Sequence, residues 1–461
     1  MIKDAFRKYL EEAIGRDNAL VAFSAFDKPA SVSVRRNPFK DGCSLEGRGI
    51  AWSPYGLMLD ERPQFTLDPM FHAGAYYVQD SSSMFVGHVF REMLKTVHVP
   101  SGRPLRVLDL CAAPGGKTTD LAASLRERLG DGFILVANEI MKARVGILAD
   151  NVALWGDPNV IVTSDDPRAF GALSGFFDII LADVPCSGEG LFRKDEVAQD
   201  QWSEDNVALC EARQRRILAD VWPALATGGV LIYSTCTFNR LENDGNVSWM
   251  SAELGADSLL DEDIIKECPG VIKTAHGYSL VPGFVEGEGQ YCAALRKTSE
   301  VAFIENRRPV RQSGPAKGPA KGQAIPEDAG RMLRMKSHFR VKGDTLTAVP
   351  ENVATSLASL EQSLHVIAAG CAVGTIKGKI LVPDADLALS LMLDRDAFPK
   401  AEVDRETALA YLHRDAIVLP EAEKGYVLIV HDGQPLGFVK NLGNRCNSLH
   451  PQSRRIRMNI R

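Results

Sequence analysis

The chain has 461 residues, 53 Lys and Arg against 59 Asp and Glu, a net charge of −6 and a hydrophobic fraction of 45%. That length suits two or three domains with ample core. No apolar run approaches the roughly 18 residues of a membrane span, and Met1-Ile2-Lys3-Asp4 does not read as a signal peptide. Nine scattered cysteines, an odd number, argue against a disulfide framework and for a reducing cytoplasm, and no Cys-x-x-Cys or His-x-x-x-His pair supports a structural zinc site.

Residues 1–50 read as a helix followed by a strand. Phe6, Tyr9, Leu10 and Ile14 recur at helical spacing, and Ser31-Val32-Ser33-Val34-Arg35 alternates. Arg35-Arg36-Asn37-Pro38-Phe39-Lys40 places three cations in six residues, which suits an RNA backbone, a plain surface turn being the alternative. Further on, Tyr76 to Val78 reads as a short strand or turn, and Asp80 or Ser81 as the N-cap of a helix reaching about Leu94.

Residues 100–250 then alternate strand and helix, predicting a doubly wound parallel sheet with strands at 105–110, 133–138, 159–163, 177–183 and 229–234. Helices are expected near 118–129, 142–154 and 204–226, and another opens at Phe238 and ends near Leu254. Leu105 to Leu110 is a buried strand that breaks into Cys111-Ala112-Ala113-Pro114-Gly115-Gly116-Lys117, a turn that lets backbone approach a ligand. A phosphate-binding loop would need Gly at position 111, and a dinucleotide fingerprint would need Gly-x-Gly-x-x-Gly; neither is present. A nucleoside without a polyphosphate remains, and S-adenosylmethionine (SAM) fits. Glu139, just past the second strand, stands where an acid hydrogen-bonds ribose hydroxyls, a helix cap being the alternative. Asp165-Asp166 follows the third strand, where an acid suits the adenine amino group.

Two further strands end in cysteine: Asp183-Val184-Pro185-Cys186-Ser187-Gly188-Glu189-Gly190 and Ser234-Thr235-Cys236-Thr237. An isolated cysteine is usually a small buried hydrophobe. Two at adjacent strand ends on the cofactor rim, one after Asp-x-Pro, suit methylation of cytosine C5. That carbon is too poor a nucleophile until a thiolate adds at C6 and an acid beside it meets the charge at N3. Together, Asp-Leu-Cys-Ala-Ala-Pro-Gly-Gly-Lys-Thr, Asp-Val-Pro-Cys-Ser-Gly-Glu-Gly and Ser-Thr-Cys-Thr resemble the Sun/Nol/Nop family of RNA cytosine-5 methyltransferases. Phe71-His72-Ala73-Gly74, Gly190-Leu191-Phe192-Arg193-Lys194-Asp195 and Gly443-Asn444-Arg445 resemble its bacterial small-subunit branch. The resemblance implies Cys236 as nucleophile and Cys186 as the thiol that helps release product. It also implies a SAM site of Cys111 through Lys117, Glu139, Asp166 and Asp183, with Asp183 also facing the base. Asp166 rather than Asp165 is chosen on its spacing to Asp183.

Basic residues cluster from Arg307 to Lys342, ten cations against two acids, and from Lys440 to Arg461, six against none, as expected of phosphate contacts or solvated tails. Residues 301–329, rich in Pro, Gly and Lys, read as a flexible basic linker. The expected architecture is therefore α/β. It comprises a small N-terminal α+β RNA-binding module (1–70), a Rossmann-like doubly wound methyltransferase domain (71–300) and, after the linker, a mixed β region (330–461). The resemblance makes that last region a PUA-like RNA-binding domain. The expected protein is a monomer without metal or membrane that acts on ribosomal RNA or the small ribosomal subunit. The rivals are the same chemistry on transfer RNA and a non-catalytic RNA-binding assembly factor.

Overall fold

A computed structural model describes residues 3–194, 196–298 and 325–460. The N-terminal segment forms two helices, not one: α1 (Asp4–Ile14) and α2 (Arg16–Phe26). Phe6, Leu10 and Ile14 of α1 are buried at i, i+4 and i+8, each contributing about 1.5–3 kcal/mol of apolar burial. Strands β1 (Val32–Arg36), β2 (Arg48–Ile50), β3 (Ser53–Leu59) and β4 (Tyr76–Val78), with the one-turn helix α3 (Pro69–His72) before β4, build an antiparallel sheet in the order β2-β3-β1-β4. That sheet continues past residue 70. Helix α4 (Ser81–Thr96) begins at Asp80, whose carboxylate accepts the Ser82 N–H.

The central unit alternates as the periodicity predicts: β5 (Leu105–Asp109), α5 (Gly116–Leu129), β6 (Phe133–Asn138), α6 (Lys142–Trp155), β7 (Val160–Thr163), α7 (Pro167–Phe170) and β8 (Phe177–Asp183). It continues through α8 (Glu196–Gln201), α9 (Glu204–Val221), β9 (Leu225–Thr235), α10 (Asp244–Glu253), β10 (Ala256–Ser258), β11 (Ile272–Lys273), β12 (Tyr278–Leu280) and β13 (Gln290–Lys297). The core order β7-β6-β5-β8-β9 is parallel throughout and reverses direction of growth at β5/β8, the switch point beside which ligands bind at the carboxyl ends of strands. Antiparallel β13 covers the β9 edge. Two helix expectations shift. Helix α9 ends at Val221, because Pro223 and the strand starting at Leu225 follow. Helix α10 starts at Asp244, because residues 237–243 spend their side chains on buried contacts described below.

The C-terminal region comprises β14 (Ser337–Lys342), β15 (Thr345–Pro350), α11 (Glu351–Leu360), β16 (Val366–Ala369), β17 (Cys371–Lys377), β18 (Ile380–Pro383) and α12 (Ala385–Leu389). After these come β19 (Lys400–Glu402), α13 (Arg405–His413), β20 (Gly425–His431), β21 (Gln434–Asn441) and β22 (Cys446–Ser448). These form two four-stranded sheets, β14-β15-β17-β18 and β19-β20-β21-β22. One strand leaves the region: β16, which contains Ile367, pairs antiparallel with β7 and covers what would otherwise be an open edge of the central sheet. Nor does the N-terminal module stand alone. Val34, Leu57, Phe65 and Tyr76 share one apolar cluster with Leu409 of α13 and with Val427, Ile429 and Val439 of β20 and β21.

The basic run at 35–40 is not the RNA-facing surface the sequence suggests. Arg35 is 0% exposed and Lys40 is 7% exposed. Arg35 donates to Gln79 Oε1 (2.8 Å), to the Gly116 carbonyl (3.0 Å) and to Thr119 Oγ1 (2.6 Å), and stacks on Trp155. Lys40 Nζ donates to the carbonyls of Ala73 and Leu154 (2.8 and 2.6 Å). Asn37 bonds Gly74 and Trp155 in the same way. The run fastens the N-terminal module to the ends of α5 and α6, and Arg36 is its exposed cation. Tail residue Arg454 is likewise committed, to Asp386 and Asp150. The linker expected at 301–329 lies, up to residue 324, outside the described residues. Among the described residues no helix is long and apolar enough to cross a membrane.

Candidate active site

The turn after β5 is built for close approach. Gly115 caps α5 at φ +116°, a left-handed conformation open to glycine at little cost. The Ala112 N–H donates to the Asn138 carbonyl (2.8 Å), the Ala113 carbonyl accepts from Arg144 (2.5 Å), and the Pro114 carbonyl accepts from Asn151 (2.8 Å). The turn is thus tied to β6 and α6, while Arg35 holds Gly116 from the other side. Behind it lies Asp109, fully buried, its Oδ2 accepting the Thr118 hydroxyl (2.6 Å) and its Oδ1 without a hydrogen-bond partner. Burial pushes this carboxyl up to about 7, partly offset by Thr118. Burial and the Asp183 charge push the Cys111 thiol up as well, which leaves it inert as a nucleophile.

Acids stand at the carboxyl ends of the neighbouring strands. Glu139, 4% exposed, accepts the Met141 N–H (2.8 Å) and faces Arg144 at 3.3 Å, so it braces the segment entering α6, whose N-cap is Met141. Asp165 is occupied: its Oδ2 accepts the N–H of His365, just before β16 (2.9 Å). Asp166 caps α7 through the Arg168 N–H (3.0 Å) and is exposed, with Arg216 at 3.9 Å. Asp183 ends β8. Its Oδ2 meets Lys117 Nζ at 2.8 Å and its Oδ1 accepts the Ser234 hydroxyl at 2.9 Å. Burial, which would lower the Lys117 pKa, is outweighed by Asp183, with a further contribution from Cys236, so the ammonium stays charged. Gln290 on β13 donates to Ser234 Oγ (2.6 Å).

The two cysteines meet. Cys186 Sγ lies 3.0 Å from Cys236 Sγ, one thiol past the end of β8 and the other past β9. This contact first, and burial second, push the Cys186 thiol well above its usual range. Sequence reading missed the residues around them. Ser234 and Glu189 sit inside the motifs already singled out but have no local signature for their partners. Gln290 arrives from a strand more than 50 residues downstream.

A doubly wound sheet, a glycine turn at its switch point and acids at the strand tips define a SAM-dependent methyltransferase. Family models match along the chain: the N-terminal domain of 16S rRNA methyltransferase RsmF over residues 2–81, 16S rRNA methyltransferase RsmB/F over 101–296, and the methyltransferase RsmF PUA domain over 398–456. The ribosomal RNA small subunit methyltransferase F of Escherichia coli O7:K1 (strain IAI39 / ExPEC) is 32% identical over 97% of this chain and 95% of its own. That of Serratia proteamaculans is 32% identical over 87% and 84%. The chain belongs to the ribosomal RNA small subunit methyltransferase F family. Among solved structures, a methyltransferase homolog protein from Pyrococcus horikoshii shares the fold (TM-score 0.51, 24% identity, 64% of this chain and 95% of that one). So does NSun6 from the same organism, solved with SFG (TM-score 0.51, 19% identity, 65% and 99%).

Proposed function

We propose that the protein is an RNA cytosine-5 methyltransferase acting on small-subunit ribosomal RNA through a covalent adduct between Cys236 and cytosine C6. The observation that carries this reading is the thiol pair at 3.0 Å, on the same rim as the Lys117–Asp183 pair and the glycine turn. The names of the relatives supply the substrate class.

The residues present fit SAM: the glycine turn stands at the switch point of the sheet, and beside it Asp109 Oδ1 is a buried acceptor with no hydrogen-bond partner. Cys111 through Lys117 would line the site, Glu139 would take the ribose hydroxyls and Asp166 the adenine amino group, since Asp165 is engaged by His365. SAM, when bound, supplies an electrophilic methyl group. The resemblance to the Sun/Nol/Nop family makes Cys236 the thiol that adds at C6. Negative charge then builds at N3, where Asp183, held by Lys117 and Ser234, would face the base. The adduct makes C5 nucleophilic. Once C5 carries the methyl group, its proton leaves to a base and the Cys236–C6 bond breaks, with Cys186 adjacent to assist release. The target base must leave its stack for both of its faces to be reached.

The test is methyl transfer from labelled SAM to small subunits and to naked small-subunit RNA lacking cytosine methylation, with bisulfite sequencing of the product. One or a few 5-methylcytosines are expected. Cys236→Ala should abolish transfer while SAM still binds, and Cys186→Ala should trap the protein covalently on RNA. Label on transfer RNA alone would overturn the substrate assignment; near-normal turnover by Cys236→Ala would overturn the mechanism.

A further inference from the structure

The loops that carry the two cysteines are joined by crossed carboxylates. Glu189 belongs to the Cys186 loop but holds the Cys236 loop: its Oε2 accepts from Thr237 Oγ1 (2.5 Å) and from the N–H groups of Phe238 (2.8 Å) and Asn239 (3.0 Å). Its Oε1 accepts from Trp202 Nε1 (2.9 Å) and Asn239 Nδ2 (3.0 Å). Glu242 belongs to the Cys236 loop and reaches back: its Oε2 accepts the Ser187 N–H (3.0 Å) and Gln214 Nε2 (2.7 Å), and its Oε1 accepts Asn239 Nδ2 (2.7 Å). Both glutamates are 0% exposed, and every one of these contacts comes from a neutral donor. The loops touch directly as well, through the Gly190 N–H and the Cys236 carbonyl (2.9 Å). A Cβ on Gly190 would stand 2.9 Å from that carbonyl oxygen and 2.7 Å from Gly289 Cα.

We propose that Glu189 and Glu242 are positioning residues for the reaction: each carboxylate, rooted in one cysteine loop, grips the backbone of the other, and together they set the separation of the two thiols. A single anchor would let one loop pivot about it; two in opposite directions fix distance and orientation together. The partners demand carboxylates. An amide at either position would turn an NH2 group toward donors, so Gln is nearly isosteric yet breaks the pattern.

This inference rests on the cytosine-5 reading for its kinetic consequence, but thiol spacing can be measured without RNA. In the SAM-bound protein, diamide links the thiols: the S–S bond forms between Cys186 and Cys236 while the azo group takes both protons and two electrons to become a hydrazine. Peptide mapping gives the rate at that pair. Glu189→Gln and Glu242→Gln are expected to slow this cross-link about tenfold or more and to lower kcat about 100-fold, with the SAM Kd within about threefold of wild type. Because both anchors serve one geometry, the double variant should be little worse than the poorer single one. Wild-type cross-linking rates in both SAM-binding variants would overturn the proposal. So would strict additivity in kcat. Should either Gln variant fail to bind SAM, Thr237→Val removes one donor to Glu189, and a wild-type cross-link rate there would also overturn it. Absence of 5-methylcytosine with slowed cross-linking would sink the functional reading and leave the clasp standing.

Discussion

Two buried polar clusters flank the crevice, and they are made of opposite materials. On one side, Arg35 from the N-terminal sheet and Arg91 from α4 converge on Asp120 of α5, at 3.8 and 3.1 Å, with Gln79 and Thr119 completing the set. On the other, Glu189 and Glu242 are surrounded by Trp, Asn, Gln and backbone N–H groups, with Tyr233 and Asn246 extending the network to the Glu242 carbonyl. The first cluster uses charge to join elements far apart in the chain. The second holds each glutamate by neutral donors instead. A cation there would draw a carboxylate away from the backbone it holds; neutral donors leave both glutamates locked on the opposite loop.

The contrast can be broken first at Arg35. Arg35→Ala leaves Asp120 short of a partner in the interior and should cost about 3–5 kcal/mol, read as a shift in the denaturation midpoint. It should also weaken SAM binding, because the Gly116 carbonyl keeps the Thr119 hydroxyl but loses the guanidinium that ties the turn to the N-terminal sheet. Arg35→Lys keeps the charge but not the fork and should fall between. Equal stability for wild type and Arg35→Ala would mean that the charge cluster joins nothing. On the carboxylate side, Asn239→Ala removes the amide that reaches both glutamates and should cost about 1–3 kcal/mol, with a larger loss in turnover than in SAM affinity. A loss confined to stability would assign the network to folding alone.

Asp109 sharpens the comparison through pH. Its folded pKa is raised to about 7 from the ordinary 3.8, so the folded state keeps a proton that the unfolded chain releases. The associated stability is full below about pH 4 and is lost as pH rises toward 7. Asp109→Asn should flatten that part of the curve relative to wild type; identical slopes in a pH series of melting temperatures would refute the assignment. The smallest effect is expected at Arg36, the exposed cation of the basic run. Arg36→Ala should change stability by less than about 0.5 kcal/mol, in contrast to its neighbour.

Much of the fold was legible because it is local. Strand and helix boundaries from β5 to β9 follow apolar runs broken by Gly and Pro, and of the two caps expected for α4, Asp80 or Ser81, it is Asp80. The motif residues Lys117, Asp183, Cys186 and Cys236 were legible for the same reason: each lies within a few positions of a strand end, and the parallel topology carries all those ends to one rim. Where the sequence misled, a side chain's partner was remote. Arg35 reads as a surface cation until Thr119, 84 positions away, and Asp120 close around it. The helix expected from Phe238 starts only at Asp244, because Asn239 and Glu242 are drawn to Glu189 and Ser187 in the other loop.

The sequence by itself determined the α/β alternation, the glycine turn, the two cysteines and the family they resemble, since propensity, turn chemistry and motif spacing act over a handful of residues. Tertiary structure alone decided which of the charged groups were to be buried, that β16 would close the edge at β7, and that the N-terminal and C-terminal sheets would share a core. It also decided that two glutamates would cross between the cysteine loops. Those outcomes depend on contacts between residues tens to hundreds of positions apart, where burial strips away water and only the partner that the fold delivers can satisfy a buried charge.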